Sequence, residues 1–342
     1  MPALRPFLRD GAAALLFHAG LTQPKRSADD RLTVATFHRV LPPQLLTHYP
    51  PPEIAVTPDE LAWFLAFFAE HFECGTLERQ HQDFSERRAS SKPRLAITFD
   101  DGQVDNFRYA KPVLEAAGMR ASFFVVADAV ERNETLFHDR LAYAADRLAR
   151  ARPDEARTRA AMVGVPAEIE LAKLAHQVVI RIKVLPAGER HAYLEAWERA
   201  AGEVTRPAWD GMMSWTELRE LVDAGHEVGS HSMSHAILPL CSDDELAREV
   251  GDSRRFIEAR LGNAVSSFCY PNGDVDARVV DAVRDAGYAR AVVTRWGLND
   301  RLAQTFQLTR CDMQGEHARS ARGKLSRARL AWRMSGLHPG LG

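Results

Sequence analysis

Short apolar runs alternate with amphipathic segments along most of this 342-residue chain, and that alternation restricts the possible folds more than any other feature. The runs that predict strands are residues 32–38, 94–100, 121–127, 226–230, 265–270, 289–294 and 305–310. Several are apolar almost throughout, as are parallel strands that are covered on both faces. Between them, capping-box patterns such as Thr57 with Glu60 mark the starts of helices. The repetition predicts an α/β fold with a parallel sheet, open or closed.

One long segment interrupts the alternation. Residues 130–208 contain no convincing strand and are rich in Ala, Arg, Glu and Leu, so they predict a helical insertion within a core domain of residues 31–312. Residues 1–30 predict an N-terminal helical extension, and residues 313–342 predict a basic C-terminal tail or helix. In that tail, Leu325, Leu330, Trp332 and Met334 alternate with basic residues. This pattern fits a helix that contacts a membrane surface or a glycan-assembly partner, or one that packs on the core domain.

Composition excludes several classes of protein. Hydrophobic residues make up 46% and charged residues 26% of the chain, as in ordinary globular proteins. The net charge of -2 gives no general case for binding nucleic acid. The apolar stretch at residues 12–17 is too short to span a membrane and lacks a signal-cleavage pattern. We therefore predict a cytoplasmic protein, with association to the membrane through the basic tail as the alternative.

Polar side chains stand at the ends of most of the predicted strands. In a parallel barrel the carboxyl ends of all strands meet on one face, where catalytic groups gather. Residues far apart along the chain are therefore expected to converge at one mouth. The residues at these positions are His38, Asp100, Asp101, His231, His235, the turn at 270–273, and Arg310.

One carboxylate and two imidazoles from this set suit Zn²⁺ or a similar divalent ion. Each motif alone is weak evidence, because two histidines four residues apart often have structural roles and Asp-Asp-Gly is usually a turn cap. Together, the histidine pair and Asp-Asp-Gly predict a metal site, because each directly follows an apolar run. Zinc is the expected ion, and other divalent ions are the alternatives. Beside a metal, Asp100 and Asp101 can divide the work of ligand and proton acceptor.

Three stretches then match a known family. The sequences TFDDG (98–102), HSMSH (231–235) and FCYPNG (268–273) resemble the signature motifs of polysaccharide deacetylases, carbohydrate esterase family 4, also called the NodB homology domain. The resemblance covers about residues 32–312 outside the insertion. It implies a distorted (β/α) barrel and metal-dependent hydrolysis of N-acetyl groups on amino sugars. It also implies Asp100 as the general base and Asp101, His231 and His235 as the metal ligands.

The third motif departs from the family pattern. The family usually has Arg-x-Pro-Tyr, in which the arginine orients the base, but Cys269 takes the arginine position here and Asn272 the tyrosine position. The site is therefore either impaired, or Arg310 reaches Asp100 from another strand. A backbone N–H survives a side-chain change, so Asn272 can still stabilise an oxyanion. Tyr270 and Pro271 complete the predicted substrate-binding turn.

The general acid is also displaced. The family's late Leu-x-His motif is not evident after residue 290, whereas ATFHRV around His38 resembles the rearranged motif of exopolysaccharide deacetylases. Imidazole is the usual proton donor near neutral pH, which favours His38 as the acid over a purely structural histidine.

The sequence thus predicts a hydrolase of linear amide bonds that releases acetate from an N-acetylated polysaccharide, lipid-linked glycan or related glycoconjugate. Exopolysaccharide biosynthesis is its expected setting. Two alternatives stay open: a catalytically silent glycan-binding or scaffold protein on the same barrel, and a deacylase for a non-sugar amide.

Overall fold

Parallel strands form the centre of the computed structural model, which describes residues 5–22, 31–204 and 206–337. The strands are β1 (Leu32–Phe37), β2 (Arg39–Val40), β3 (Ala55–Val56), β4 (Glu73–Gly75), β5 (Arg94–Phe99), β6 (Ser122–Val125), β7 (Glu227–Ser230), β8 (Ser267–Cys269), β9 (Arg290–Trp296) and β10 (Leu308–Asp312). Seven of them close into a barrel in the order β1, β5, β6, β7, β8, β9, β10, because β1 pairs with both β5 and β10. The predicted distorted (β/α) barrel is confirmed.

Helices surround the barrel. They are α1 (Arg5–His18), α2 (Pro43–Leu46), α3 (Pro58–His71), α4 (Leu77–Ser85), α5 (Lys111–Ala116), α6 (Ala127–Arg132), α7 (Phe137–Ala151), α8 (Pro153–Met162), α9 (Leu171–Ile182), α10 (Ala187–Ala201), α11 (Trp215–Asp223), α12 (Asp243–Ala247), α13 (Ser253–Leu261), α14 (Ala277–Asp285), α15 (Gly315–Ala318) and α16 (Arg327–Met334). The capping box predicted at Thr57 is present, with the hydroxyl accepting from Glu60 N–H and the carboxylate accepting from Thr57 N–H.

Alternate residues of the strands face opposite sides of the barrel wall. Phe37, Phe99 and Phe123 stack at 5.0–5.3 Å and pack outward among the helices. The positions between them form a separate buried cluster, which Leu77 and Phe84 of α4 close; its strand members are Leu32, Val34, Ala96, Phe124, Cys269, Val292 and Leu308. Because side chains alternate along a strand, the inner row continues toward the carboxyl ends through residues 36, 98 and 310.

The segment between β6 and β7 is helical. From α7 to α10 the helices share a hydrophobic cluster of their own, built around Leu141, Leu174, Val178 and Trp197. A cluster of this kind gives the insertion a defined shape that does not depend on the barrel core. Helix α7 begins close to the carboxyl ends of the barrel strands, which brings the insertion to the mouth. The division into domains at residues 30 and 312 stays a prediction.

The two ends of the chain pack together. Helix α1 lies against α16, and Arg329 donates to Asp10 at 2.9 Å. Leu330, Trp332 and Met334 are buried, so the apolar side chains that a membrane-binding helix would present are used in packing. This observation favours the packing alternative for the basic segment. Within residues 5–22, 31–204 and 206–337, none of the helices combines the length and the apolar character needed to span a bilayer.

Candidate active site

Asp100 and Arg310 form a buried ion pair at the carboxyl ends of β5 and β10. The two guanidinium nitrogens donate to the two carboxylate oxygens at 2.8 and 2.7 Å. Arg310 also donates to Thr36 Oγ1 at 2.8 Å and, through Nε, to the carbonyl of Val293 at 3.0 Å. Four such contacts leave Arg310 a single orientation. The contact proposed from the sequence is therefore present, although 210 residues separate the two.

Cys269 occupies the same corner, with Sγ 3.5 Å from Asp100 Oδ2. The position that holds an arginine in the family motif thus still faces the carboxylate, but Arg310 supplies the cation. Burial by itself would raise the pKa of Asp100, but the charge and hydrogen bonds of Arg310 outweigh burial and lower that pKa below its ordinary value. Asp100 is therefore an ionised acceptor at neutral pH.

Asp101, His231 and His235 converge beside this pair. Each histidine has Nε2 3.6 Å from Asp101 Oδ1, and the three candidate ligand atoms lie within 4.8 Å of one another. Asp101 and His235 adopt positive φ angles of 74° and 60°. Non-glycine residues take up this conformation at a cost, which is typical of functional sites where a side chain must be aimed at one point.

The donor chemistry of these three residues fits a metal ion. His231 Nδ1 lies 2.8 Å from the carbonyl of Cys269, so this nitrogen carries the proton and Nε2 keeps its lone pair. Burial lowers the pKa of His231, and it lowers the pKa of His235 well below the usual value. Both imidazoles are therefore neutral, the form in which histidine binds metals. The residues present match an oxygen and two nitrogens for a divalent ion.

His38 directly follows β1 and lies beside Asp100. Its Nε2 is 3.9 Å from Asp100 Oδ2, and its side chain is 26% exposed. An accessible imidazole next to the carboxylate can exchange a proton with a bound molecule. The structure thus brings His38 into the predicted group, while its role as the acid stays a prediction.

Of the three residues in the turn after β8 that were predicted to bind substrate, one lines the cavity and two are buried. Asn272 lines the cavity in a left-handed conformation with φ of 56°. Gly273 follows with φ of 78°, where a Cβ would collide with Thr294, so this position requires glycine. Tyr270 and Pro271 are buried, and the Tyr270 hydroxyl donates to the carbonyl of Phe306 at 2.9 Å. The structure therefore places Tyr270 in the core, where it supports the turn.

The sequence motifs did not predict that His138 belongs to the candidate active site. It lies in the first turn of α7, and its Nε2 is 3.6 Å from Asp101 Oδ2, the carboxylate oxygen opposite the one that faces His231 and His235. No motif surrounds it, and the insertion that carries it has no recognisable pattern. Only the fold of the insertion over the barrel mouth brings this histidine to the site.

A second missed feature is a buried ionic cluster around Arg39. The guanidinium contacts three carboxylates, at distances of 2.8, 3.2 and 2.7 Å from Asp105, Asp139 and Asp210. Tyr49 and Tyr143 donate their hydroxyls to the second and third of these at 2.7 and 2.8 Å. Because Arg39 follows His38 and Asp139 follows His138, this cluster fixes the backbone beside both histidines.

One cavity of about 360 Å³ is lined by His38, Asp100, Asp101, His138, His231, His235, Asn272 and Arg310, whereas the Arg39 cluster lies outside its lining. The barrel strands contribute its floor, and the insertion contributes a wall. The residues on that wall are Phe137, His138, His176, Val179, Ile180, Lys183 and Arg190. A molecule bound in this cavity therefore contacts both the motif residues at the strand ends and the residues of the insertion.

Comparison with known proteins agrees with this geometry. The family model described as polysaccharide deacetylase matches residues 87–291. The chain belongs to the polysaccharide deacetylase family. The prediction made from TFDDG and HSMSH is confirmed, since the match includes Asp100, Asp101, His231 and His235.

Individual relatives of this deacetylase family member are distant. A peptidoglycan-N-acetylglucosamine deacetylase from Bacillus cereus is 27% identical over 84 residues, which are 25% of this chain and 38% of that protein. The chain thus spans well under half the length of this curated relative. The deacetylase PplD of Streptococcus pyogenes, solved with acetate, superposes with a TM-score of 0.60 at 14% identity, over 93% of this chain and 100% of that one. IcaB from Ammonifex degensii superposes with a TM-score of 0.57 at 18% identity, over 89% and 97%. At these identities the superpositions show a shared fold.

Proposed function

We propose that this protein is a metal-dependent hydrolase that removes the N-acetyl group from an amino sugar of a polysaccharide or lipid-linked glycan and releases acetate. One observation carries the proposal: a carboxylate kept ionised by a buried arginine stands next to a ligand set of one carboxylate and two neutral imidazoles, inside one cavity. Amide hydrolysis needs a proton acceptor and a positive charge at the carbonyl oxygen. Asp100 is the acceptor, and a divalent ion held by the ligand set would supply the charge.

Each residue then has a separate task. Asp100 takes the proton from the attacking water, and Arg310 keeps Asp100 ionised and oriented. The backbone N–H of Asn272 donates to the oxygen that becomes negative in the transition state, and His38 protonates the leaving amine. A divalent ion bound by Asp101, His231 and His235, zinc first, would polarise the acetamide carbonyl and lower the pKa of water. The exopolysaccharide setting and the cytoplasmic location stay predictions.

Metal dependence is tested by removing and returning the ion. We expect zinc-loaded protein to release acetate from N-acetylglucosamine oligomers, to lose this activity after dialysis against a chelator, and to recover it with zinc. His235→Ala should weaken zinc binding by more than the roughly 10- to 100-fold that loss of an outer-shell partner causes. Metal content and zinc titration give this result without turnover. His191→Ala, at an exposed position on α10, is the matched control that should keep its zinc.

Other outcomes identify the alternatives. If the zinc-loaded protein binds the oligomers but releases no acetate from oligomers or lipid-linked glycans, the proposal is wrong and the protein is a silent scaffold. If acetate is released only from non-sugar amides, the protein is a deacylase of another class.

The role of Arg310 is tested by replacement and rescue. Arg310→Met removes the cation at similar length, so Asp100 loses its orientation and we expect kcat to fall by roughly 100-fold. Cys269 faces the same carboxylate from the position of the family arginine, at 3.5 Å. In the double variant with Cys269→Arg, a guanidinium should again reach Asp100, and part of the lost kcat should return. Wild-type kcat in Arg310→Met protein would remove this arginine from the mechanism.

A further inference from the structure

Helix α9 has two faces with different tasks. Leu174, Ala175, Val178 and Ile182 pack into the hydrophobic cluster of the insertion. The opposite face points into the candidate active site and presents His176, Val179 and Ile180, followed by Lys183 directly after the helix. Val179 also packs against the insertion cluster, whereas His176, Ile180 and Lys183 line the cavity without belonging to that cluster.

Two cations on this wall have no carboxylate partner. Among the residues that the structure describes, neither Lys183 nor Arg190 makes an ion pair, whereas His176 on the same wall lies 3.6 Å from Glu53. The Arg190 guanidinium lies over the ring of Phe137, 5.4 Å from its centre, and its Nε is buried without a hydrogen-bond acceptor. A buried N–H without an acceptor is costly, so this position favours a ligand that supplies one.

The acidic groups of the cavity are already engaged elsewhere. Asp100 pairs with Arg310, and Asp101 faces the histidines. The charge of Asp312 acts on Arg310, Arg333 and His317. The charge of Glu249, which lies outside the cavity lining, acts on Arg190, but no carboxylate that lines the cavity forms an ion pair with Lys183 or Arg190 among the described residues.

We propose that Lys183 and Arg190 bind an anionic group, phosphate or carboxylate, carried by the N-acetylated substrate. The proposal rests on the deacetylase function above and narrows its substrate class to acidic N-acetylamino sugars. Guanidinium and ammonium groups recognise these anions through charge-assisted hydrogen bonds, and the guanidinium does so with two parallel donors. Arg190 lies close enough to His235 for its charge to act on that imidazole. The anion is thus bound next to the acetamido group that reacts.

Three substrates test the proposal: methyl N-acetylglucosaminide, N-acetylglucosamine 1-phosphate, and a disaccharide of N-acetylglucosamine with glucuronate. We expect kcat/KM for an anionic substrate to exceed kcat/KM for the neutral one. The ratio of these two values measures the preference for an anion, and Arg190→Gln and Lys183→Gln should each reduce this ratio by roughly 10-fold. Added salt should reduce the ratio as well. Arg190→Lys keeps the charge and should keep part of the preference. Arg181→Gln, at an exposed position of α9 away from the cavity, is the matched control for loss of one cation.

A binding measurement separates this inference from the proposed function. Calorimetry with N-acetylglucosamine 1-phosphate on Asp100→Asn protein needs no turnover, and adding both glutamine substitutions should weaken binding by roughly 100-fold. Absence of acetate release from all three substrates, with this binding intact, would contradict the deacetylase function alone. An equal ratio in wild-type and doubly substituted protein, or unchanged binding, overturns the anion site. A preference for the phosphate or for the glucuronate identifies which anion the wall receives.

Discussion

Asp100→Asn is expected to lower kcat for acetate release by roughly 10²- to 10⁴-fold, the range that general base catalysis contributes. Asparagine keeps the shape of the side chain and still offers one oxygen to Arg310, but its amide cannot take a proton from water. The substitution removes only the acceptor, so zinc content should stay at the wild-type level. Acetate release and bound metal, measured on the same preparation, check both statements.

Asp101→Asn is the matched comparison. The two aspartates are neighbours in the chain, but among the described residues only Asp101 lies within 4 Å of both His231 and His235. We therefore expect Asp101→Asn to lose both zinc and activity, and Asp100→Asn to lose activity alone. Turnover at the wild-type rate in Asp100→Asn protein would exclude this residue as the base, and equal loss of zinc in both variants would contradict the division of work.

Arg39→Met is expected to reduce the free energy of unfolding by about 3–5 kcal/mol, the usual result of removing one partner from a buried ionic group. Arg39 is fully buried and contacts three carboxylates that are buried as well. Without the guanidinium these carboxylates lose the one cation that contacts all three of them. Urea denaturation measures the loss. Arg140→Met is the control, because Arg140 binds Glu198 at an exposed position and should change stability far less.

The loss of stability in Arg39→Met should depend on pH. Burial already raises the pKa of Asp105 from 3.8 to about 6, although Arg39 opposes this rise. A carboxyl whose pKa is raised on folding stabilises the protein below the unfolded pKa, and this contribution is lost as pH rises through the folded pKa. Removing Arg39 raises the pKa further, so the deficit should be smaller at pH 5 than at pH 8. Equal deficits at both pH values would show that the charge of the cluster is not the cause.

The Arg39 cluster also connects stability to the site. It joins β2, the segment after β5, the start of α7 and the loop before α11. His38 directly precedes Arg39 and His138 directly precedes Asp139, so the cluster holds the backbone next to both histidines.

Much of the fold follows from local pattern. Alternation of apolar runs with capped helices predicted a parallel sheet, open or closed, because strand and helix periods are properties of short segments. The resemblance to the deacetylase family implied that this sheet closes into a distorted barrel. Several predicted strand boundaries differ from the structure by one or two residues, and the start of the last strand differs most. That strand begins at Leu308 and not at residue 305, since residues 304–307 form a turn closed by a bond from Gln307 N–H to the carbonyl of Gln304. Turns of this kind depend on tertiary contacts more than on local composition.

The sequence by itself determined the barrel and the core of the site. Asp100 and Asp101 end one strand and the two histidines follow another, and parallel strands have to bring their carboxyl ends to one face. Only the tertiary structure decided the contact of Arg310 with Asp100, the arrival of His138 beside Asp101, the cluster around Arg39 and the cationic wall of α9. These contacts join residues that are far apart in the chain and carry no local motif. Their positions depend on how the barrel closes and how the insertion packs over its mouth. Short-range periodicity in the sequence predicts neither of these two arrangements.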